Sequence, residues 1–551
     1  MTPSPILNIN NAILWLKVAL SVLTLAVLYF RFRPSVAESI ARTHALQTRA
    51  ALVLVALFSF GVFHNLGSFR GGSFVHYGEM FHYYLGPKYF EELGYDELYN
   101  AVIVADSEQG NALAILPFYS DLKTYQNTQR EAALRDADKI RRLFSRQRWD
   151  EFKADVAFFK KATNLPHSLD FLSFLMDHGY NGSPVSTLLL GSLANAVPVT
   201  QLQSLALLDV VLILAMSALV FRTFGFEMGI LFSVYFCVNA LNAHDYISGS
   251  LLRYDWLFCL VAAVCLLEKG RHASSAFFLV LAAMLRVFPG LLLCGIAIKF
   301  VQSVVTARTV DRRFVRFAIA TAGTGLALFL LPGASSGSVL QPWRDFGTNT
   351  ALHNSGVYVN HLGLRGIVLF EPSHLSLEEF VATHRTGRTN DIVRNWQDKK
   401  ELESARKEPL LILASALVLI WLTVTIWKRD EVESLLWPLL LVYAFTFLSH
   451  YYYAFLSLFV LLFFRRRDSR SAFVPVCMLL GLNISVLVTD YFGPSPIVFY
   501  TLVNGYLFVC FVSIVVFEIC HIRQPAMATA SSSEPPPVIR RKLPRRRRRK
   551  R

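Results

Sequence analysis

Charge is scarce in this chain: Asp, Glu, Lys and Arg make up 17% of 551 residues, against 54% hydrophobic side chains. That balance excludes an ordinary soluble domain. Soluble nucleotide and hydrolase signatures are missing as well. The chain has no phosphate-cradling Gly-rich loop of the P-loop type and no HExxH, which argues against a nucleotide-driven enzyme or pump. Cysteine is sparse and badly placed for cross-linking. All seven (Cys237, Cys259, Cys265, Cys294, Cys477, Cys510, Cys520) fall in or beside apolar runs, with no metal-type spacing, and read as small core residues. The first apolar run lacks a basic stretch before it and a small-residue cleavage site after it, so a retained span is expected rather than a signal peptide.

What the chain has in abundance is apolar runs of about the ~20 residues that cross a hydrocarbon core. Such runs are apolar nearly all round, as lipid requires. Breaks at charges, Pro and Gly predict an all-α polytopic membrane protein with about thirteen spans, near 11–30, 51–67, 200–221, 225–243, 250–267, 274–285, 287–301, 315–332, 408–427, 433–449, 451–464, 472–489 and 496–520. Basic clusters follow alternate spans (31–49, Arg222, 269–271, 299–316, 428–429, 465–470 and the tail). Basic residues in short loops stay cytoplasmic, which puts the N-terminus outside and the tail inside. The expected organisation is two N-terminal spans (1–67), an extracytoplasmic loop with a helical cap (68–199), a central bundle (200–332), a second extracytoplasmic loop (333–408), C-terminal spans (409–520) and a disordered polybasic tail (521–551). Within the first loop, 136–159 has a helical pattern, and 185–197 reads as a short surface or re-entrant helix.

Net charge is +15, and the tail supplies most of it. From His521 onward eleven Lys/Arg stand against the single Glu534, a difference of ten. A solvated tail is the first reading and contact with anionic lipid headgroups the second. Nucleic acid is not expected as a partner, because no aromatic residues are interleaved to stack bases.

Charged residues near membrane depth are functional candidates, and four clusters stand out. The first, 75–96, sets His76, Glu79 and His82/Tyr83 at three-to-four-residue spacing on one helical face, where a carboxylate could take a proton from a hydroxyl. The alternative is an interfacial amphipathic helix. The second, 244–255, holds Arg253 and Asp255, too close to pair on a helix; an ion-pair network reads as well as a site. The third is Arg286, followed by Pro289 between two apolar half-spans, which could present a cation to an anion such as phosphate or snorkel to the interface. The fourth joins the loop carrying His361 and Arg365 to His450 and Tyr451. There a phosphate site competes with an aromatic belt.

In this order the features resemble the GT-C superfamily of membrane glycosyltransferases, most closely the polyprenol-phosphate-mannose-dependent type. The resemblance covers roughly 75–467. It rests on Glu79 followed by Gly86-Pro-Lys-Tyr89, on Tyr180-Asn-Gly-Ser-Pro184 leading to Pro198, on the segments 248–269 and 276–289 with Arg286 where the family has lysine, and on 360–365 with His450-Tyr451. Two departures are Glu79 in place of aspartate and Arg253-Tyr-Asp255 in place of Gly-Gln. What the resemblance implies is inverting transfer of a mannose-like hexose or a pentose from a polyprenyl-phosphate donor to an envelope glycan, lipid or protein hydroxyl, in a bacterial inner membrane. Glu79 would be the base, with Asp106 the next carboxylate to consider. Arg286, Arg365, His450 and Arg253 would hold the donor phosphate, and His76, His82, Tyr83, Asp255, His361 and Tyr451 would line the substrate pocket. Some members use a divalent ion, Mg or Mn, but one clear acidic residue is too few to argue a metal site. The rival readings are a lipid or solute transporter, disfavoured because no repeat relates the two halves, and an inactive scaffold of the same fold.

Overall fold

Residues 9–31, 45–69, 72–165, 170–371, 389–465 and 469–522 are described by the structure, a computed structural model. The basic segment 32–44, part of the second long loop (372–388), part of the basic turn after residue 465, and nearly all of the polybasic tail lie outside those residues.

Apolar sequence becomes helix here because a backbone in lipid must satisfy its polar groups internally. Eight helices among the described residues are long and apolar enough to cross a membrane: Asn11–Phe30, Leu46–Phe63, Val199–Phe224, Phe288–Thr306, Arg312–Ser336, Trp396–Ile426, Ala472–Tyr491 and Pro496–Cys520. A ninth arises if Phe226–Val238 and Ala240–Ile247, bent by 69°, count as one span. The protein is thus a largely helical, polytopic membrane bundle with eight or nine such helices, short of the expected thirteen. The other four expected segments do fold as helix, but in pieces too short to span alone: Asp255–Glu268, His272–Leu285, Glu431–Leu436 with Leu439–Phe445, and His450–Phe464. Apolar length exceeds helix length in these segments. In fact Arg286, Pro438 and the Ser248–Arg253 loop end the regular hydrogen bonding early.

The first span packs against Ser469–Tyr491, and Ala45–Phe63 against Phe226–Val238, so both ends of the chain meet on one flank. Asp255–Glu268, His272–Leu285 and Arg312–Leu330 stack in turn. Their common core is aromatic and aliphatic, with Trp256, Trp437, Tyr235 and Phe459 fully buried. Leu54, Val211, Ile319, Leu326, Ile420 and Val424 face outward, as lipid-facing positions should.

Between the second and third long helices the chain builds a separate core around Phe81, Tyr84, Tyr99 and Phe152. The expected helical pattern at 136–159 is realised as Ala137–Arg142 and Arg146–Ala162. Residues 185–197 form the helix Pro184–Ala196, whose Ser183 side chain accepts the Ser186 N–H, an N-cap followed by proline at N1. Two buried ion pairs fix this cap. Lys88 Nζ meets Asp155 at 2.8 Å and Glu151 at 2.7 Å, and the Tyr89 hydroxyl donates to Asp155 at 2.8 Å. Lys160 meets Asp106 at 2.7 Å, and Asp106 also accepts the Leu113 N–H.

A helix bent within the bundle leaves backbone groups that lipid cannot solvate. At the 69° bend, Asn483 of the neighbouring helix supplies them: its Nδ2 donates to the Val238 carbonyl at 2.9 Å and to Ser21 Oγ at 3.0 Å, and its Oδ1 accepts the Ala240 N–H at 2.5 Å. Asn483→Leu strands a buried N–H and a buried carbonyl. It should destabilise the protein by about 1–3 kcal/mol, seen as a lower melting temperature in detergent, whereas Ser485→Ala on the same helix should melt like wild type.

Candidate functional site

Two loops that are far apart in sequence make the centre of the site. The helix from Tyr77 is interrupted by a π-helical turn at Phe81–Leu85, a distortion frequent at functional sites. His76 caps its start: the Glu79 N–H donates to His76 Nδ1 at 3.2 Å, leaving Nε2 to donate to the Asp245 carbonyl at 3.2 Å. This fixes the tautomer and orients Glu79. The second loop runs from Ser248 to Tyr254. Gly249 has φ +75°, and its backbone lies so close to Phe74 that a Cβ would run into the Phe74 carbonyl oxygen. Its own carbonyl accepts the His76 N–H at 2.9 Å. Glycine is what lets the two loops touch.

Asp209 sets the other end of that loop. Fully buried in the helix Leu202–Phe224, it accepts the Arg253 N–H at 2.8 Å and the Tyr254 N–H at 3.3 Å through Oδ1. Arg253, 2% exposed, therefore projects in one direction. Its guanidinium lies 3.8 Å over the Tyr83 ring, and its Nε is 3.1 Å from Glu79 Oε2. Arg286 follows the helix His272–Leu285 and is 9% exposed. Its guanidinium is 5.8 Å from the same ring, and its Nη1 donates to the Leu285 carbonyl at 3.0 Å. Arg253 Nη1 and Arg286 Nε are buried with no hydrogen-bond partner. Two cations, one nearby carboxylate and buried donors without partners thus meet at one ring.

The fourth cluster of the sequence closes in space. His361–Leu362 and Leu448–Ser449 pair antiparallel, with His361 opposite Ser449, and the His450 N–H donates to the Asn360 carbonyl at 3.0 Å. Asn504 brackets Gly363 by accepting its N–H and donating to its carbonyl, both at 3.1 Å. His450 is 5% exposed, and neither ring nitrogen has a hydrogen-bond partner. Tyr246, 4.2 Å away edge-on, holds the ring by packing.

The two arginines, Glu79 and His450 line one cavity of about 1120 Å³. Ten of the eleven candidate residues line it: His76, Glu79, His82, Tyr83, Arg253 and Arg286 from one side, His361, Arg365, His450 and Tyr451 from the other. Asp255 is not among them. It is buried at the start of its helix, where it accepts the Trp256 N–H at 2.7 Å. Asp106 is also away from the cavity, consumed by Lys160. One flank of the cavity is apolar, with Leu291, Leu411, Phe445 and Val287, the last two exposed on the surface of the bundle. A second cavity of about 640 Å³ shares Glu79, His76, His82, Asp177 and Asp245 with the first.

Some contributors had no signal in the sequence. Asp177, His178, His353 and Tyr358 line the first cavity but stand alone in long loops. The rings of His178, His353 and Tyr358 form a clasp between cap and second loop, with His178 4.5 Å from Tyr358 and 4.6 Å from Tyr125, and His353 5.7 Å from His178 and 5.9 Å from His361. Asp209 did carry a signal, as a lone carboxylate in an apolar run. No three His, Cys, Asp or Glu side chains gather as metal ligands among the described residues, and Glu79 faces a guanidinium.

Comparisons with protein-family models, curated proteins and solved structures give no match. The chemistry is therefore read from the geometry.

Burial, with His178 beside it, lowers the His353 imidazole to about 4, and burial with His353 and His178 nearby lowers His361 well below its usual value. An unfolded histidine titrates near ~6.5, so the unfolded chain binds more protons below that pH. The clasp's stability is complete above about pH 6.5 and falls as pH drops toward 4. Melting temperature should decline from pH 7 to 5, and His353→Gln should make that decline shallower.

Proposed function

We propose that the protein is a membrane glycosyltransferase that moves a mannose-like hexose or a pentose from a polyprenyl-phosphate donor to an envelope hydroxyl, with inversion. The observation that carries this reading is the pair of buried guanidiniums, Arg253 and Arg286, sharing the Tyr83 ring beside Glu79 in the cavity wall, each with a buried N–H that has no partner. Such a pair suits a phosphate, and the exposed apolar flank at Val287 and Phe445 suits a lipid chain arriving from the bilayer. Two cavities meeting at Glu79 suit two substrates.

In this reaction the acceptor oxygen attacks the anomeric carbon from the face opposite the phosphate. The carbon–oxygen bond to phosphate breaks as the new glycosidic bond forms, and Glu79 takes the hydroxyl proton. The charge left on the lipid phosphate falls to Arg253 and Arg286, with Arg365 and His450 across the cavity. His76, His82, Tyr83, His361 and Tyr451 shape the pocket. The site would lie on the extracytoplasmic side of a bacterial inner membrane, with the short buried helices completing about thirteen passes in a GT-C-like bundle. The tail would meet anionic lipids on the cytoplasmic side.

The test is transfer from radiolabelled polyprenyl-phosphate mannose or glucose to envelope extract by purified protein. Wild type should transfer label, and Glu79→Gln should lower turnover by at least about a hundredfold, the usual scale of general-base loss. Retained turnover in Glu79→Gln removes the base assignment. No transfer by wild type with either donor counts against the transferase reading itself.

A further inference from the structure

Glu79 cannot act as a base while its charge is spent on Arg253. The contact between them has an unusual form: Nε and Oε2 are 3.1 Å apart, yet neither atom has a hydrogen-bond partner. The carboxylate is held by charge, without the alignment that makes a guanidinium–carboxylate bond strong. Arg253 itself is fixed. Asp209 binds its backbone N–H at 2.8 Å, the Trp256 indole donates to its carbonyl at 3.1 Å, and Tyr83 underlies its guanidinium at 3.8 Å. Tyr83 is anchored in turn by its hydroxyl donating to Asn181 at 2.6 Å. Glu79 is the less constrained partner, half-buried in the wall shared by the two cavities.

We propose that Arg253 masks Glu79 until an anionic headgroup takes its place: a phosphate bridging Arg253 and Arg286 displaces the carboxylate, which is then free to accept a proton at the mouth of the second cavity. This rests on the transferase reading and adds an order of events to it. The donor anion binds first, and only then does the base exist, so the empty enzyme does not activate water or a stray hydroxyl. Arg253 is the positioning residue for both groups. A phosphate supplies several acceptor oxygens where Glu79 offers one poorly aligned contact. It can therefore satisfy Nη1 of Arg253 and Nε of Arg286, which Glu79 leaves open.

The proposal makes Glu79 a competitor of the anion, and that has a sign. Full-length protein in nanodiscs would be titrated with farnesyl phosphate, with farnesol as the phosphate-free control. Removing the charge in Glu79→Gln, and independently in Glu79→Ala, should tighten farnesyl phosphate binding about tenfold, or ~1.4 kcal/mol. Glu79→Asp keeps the charge and should stay within about threefold of wild type. Farnesol binding should not respond. If wild type binds farnesyl phosphate and the charge-removing variants bind it equally or more weakly, Glu79 supports Arg253 instead of masking it; the exchange is then wrong while the anion site stands. If neither wild type nor these variants distinguishes farnesyl phosphate from farnesol, the anion site and the exchange both fall.

Discussion

A guanidinium almost completely removed from water, in the loop before a short helix of an apolar bundle, is the constraint around which this protein is arranged. An isolated charge at such a place is expensive, and proteins keep one there only with partners. Arg253 has three such distant partners in the Glu79 carboxylate, the Tyr83 ring and Asp209, which binds its backbone N–H. None is its sequence neighbour. Glu79 and Tyr83 come from the segment after the second long helix, Asp209 from the middle of the third. Holding Arg253 therefore requires that the cap, the third helix and the loop before Asp255 assemble in one register. Gly249 is the hinge of that assembly, since any side chain there would separate the loop from Phe74.

The irregular backbone follows from the same demand. Regular spans cannot aim several polar side chains at one point, because each turn of a helix points outward from its own axis. The segments that reach the cavity are the ones that stop being regular: the π turn at Phe81–Leu85, the end of helix at Arg286, and the loop–strand contact between His361 and Ser449. Breaks in the helices free backbone groups, and at two of them an asparagine takes these up, Asn504 at Gly363 and Asn483 at the bend after Val238. These asparagines are as much part of the site as the groups that face the cavity, although neither touches it.

Sequence reading finds the clusters because charge and histidine are rare against an apolar background. Glu79, Arg253, Arg286 and His450 are conspicuous for that reason alone, and the structure gathers them around one cavity with six others. What it cannot see are partners whose importance is purely spatial. Asp177, His178, His353 and Tyr358 lie in polar loops where such residues are unremarkable, and only folding brings them together. Asp255 misleads in the opposite sense: two residues from Arg253, it shares the cluster but turns to its own helix N-terminus. The span count overshoots because hydropathy measures how long a stretch stays apolar, whereas crossing in one piece requires that its hydrogen bonding stay unbroken. Four expected spans meet the first condition and not the second.

The cap then has a reason to be rigid. A site whose central charge pair joins a cap helix to a bundle loop is only as well aligned as the cap is fixed. Within the cap the ion pairs are buried, where solvent and salt screen them less than pairs on the surface. Lys88 with Asp155, and Lys160 with Asp106, cross-link its helices at the level of the core. On the far side, the His178–Tyr358–His353 clasp joins it to the second loop through rings alone. The two ion pairs stiffen the cap internally, and the clasp joins it to the second loop, so both bear on how Glu79 is presented to the bundle.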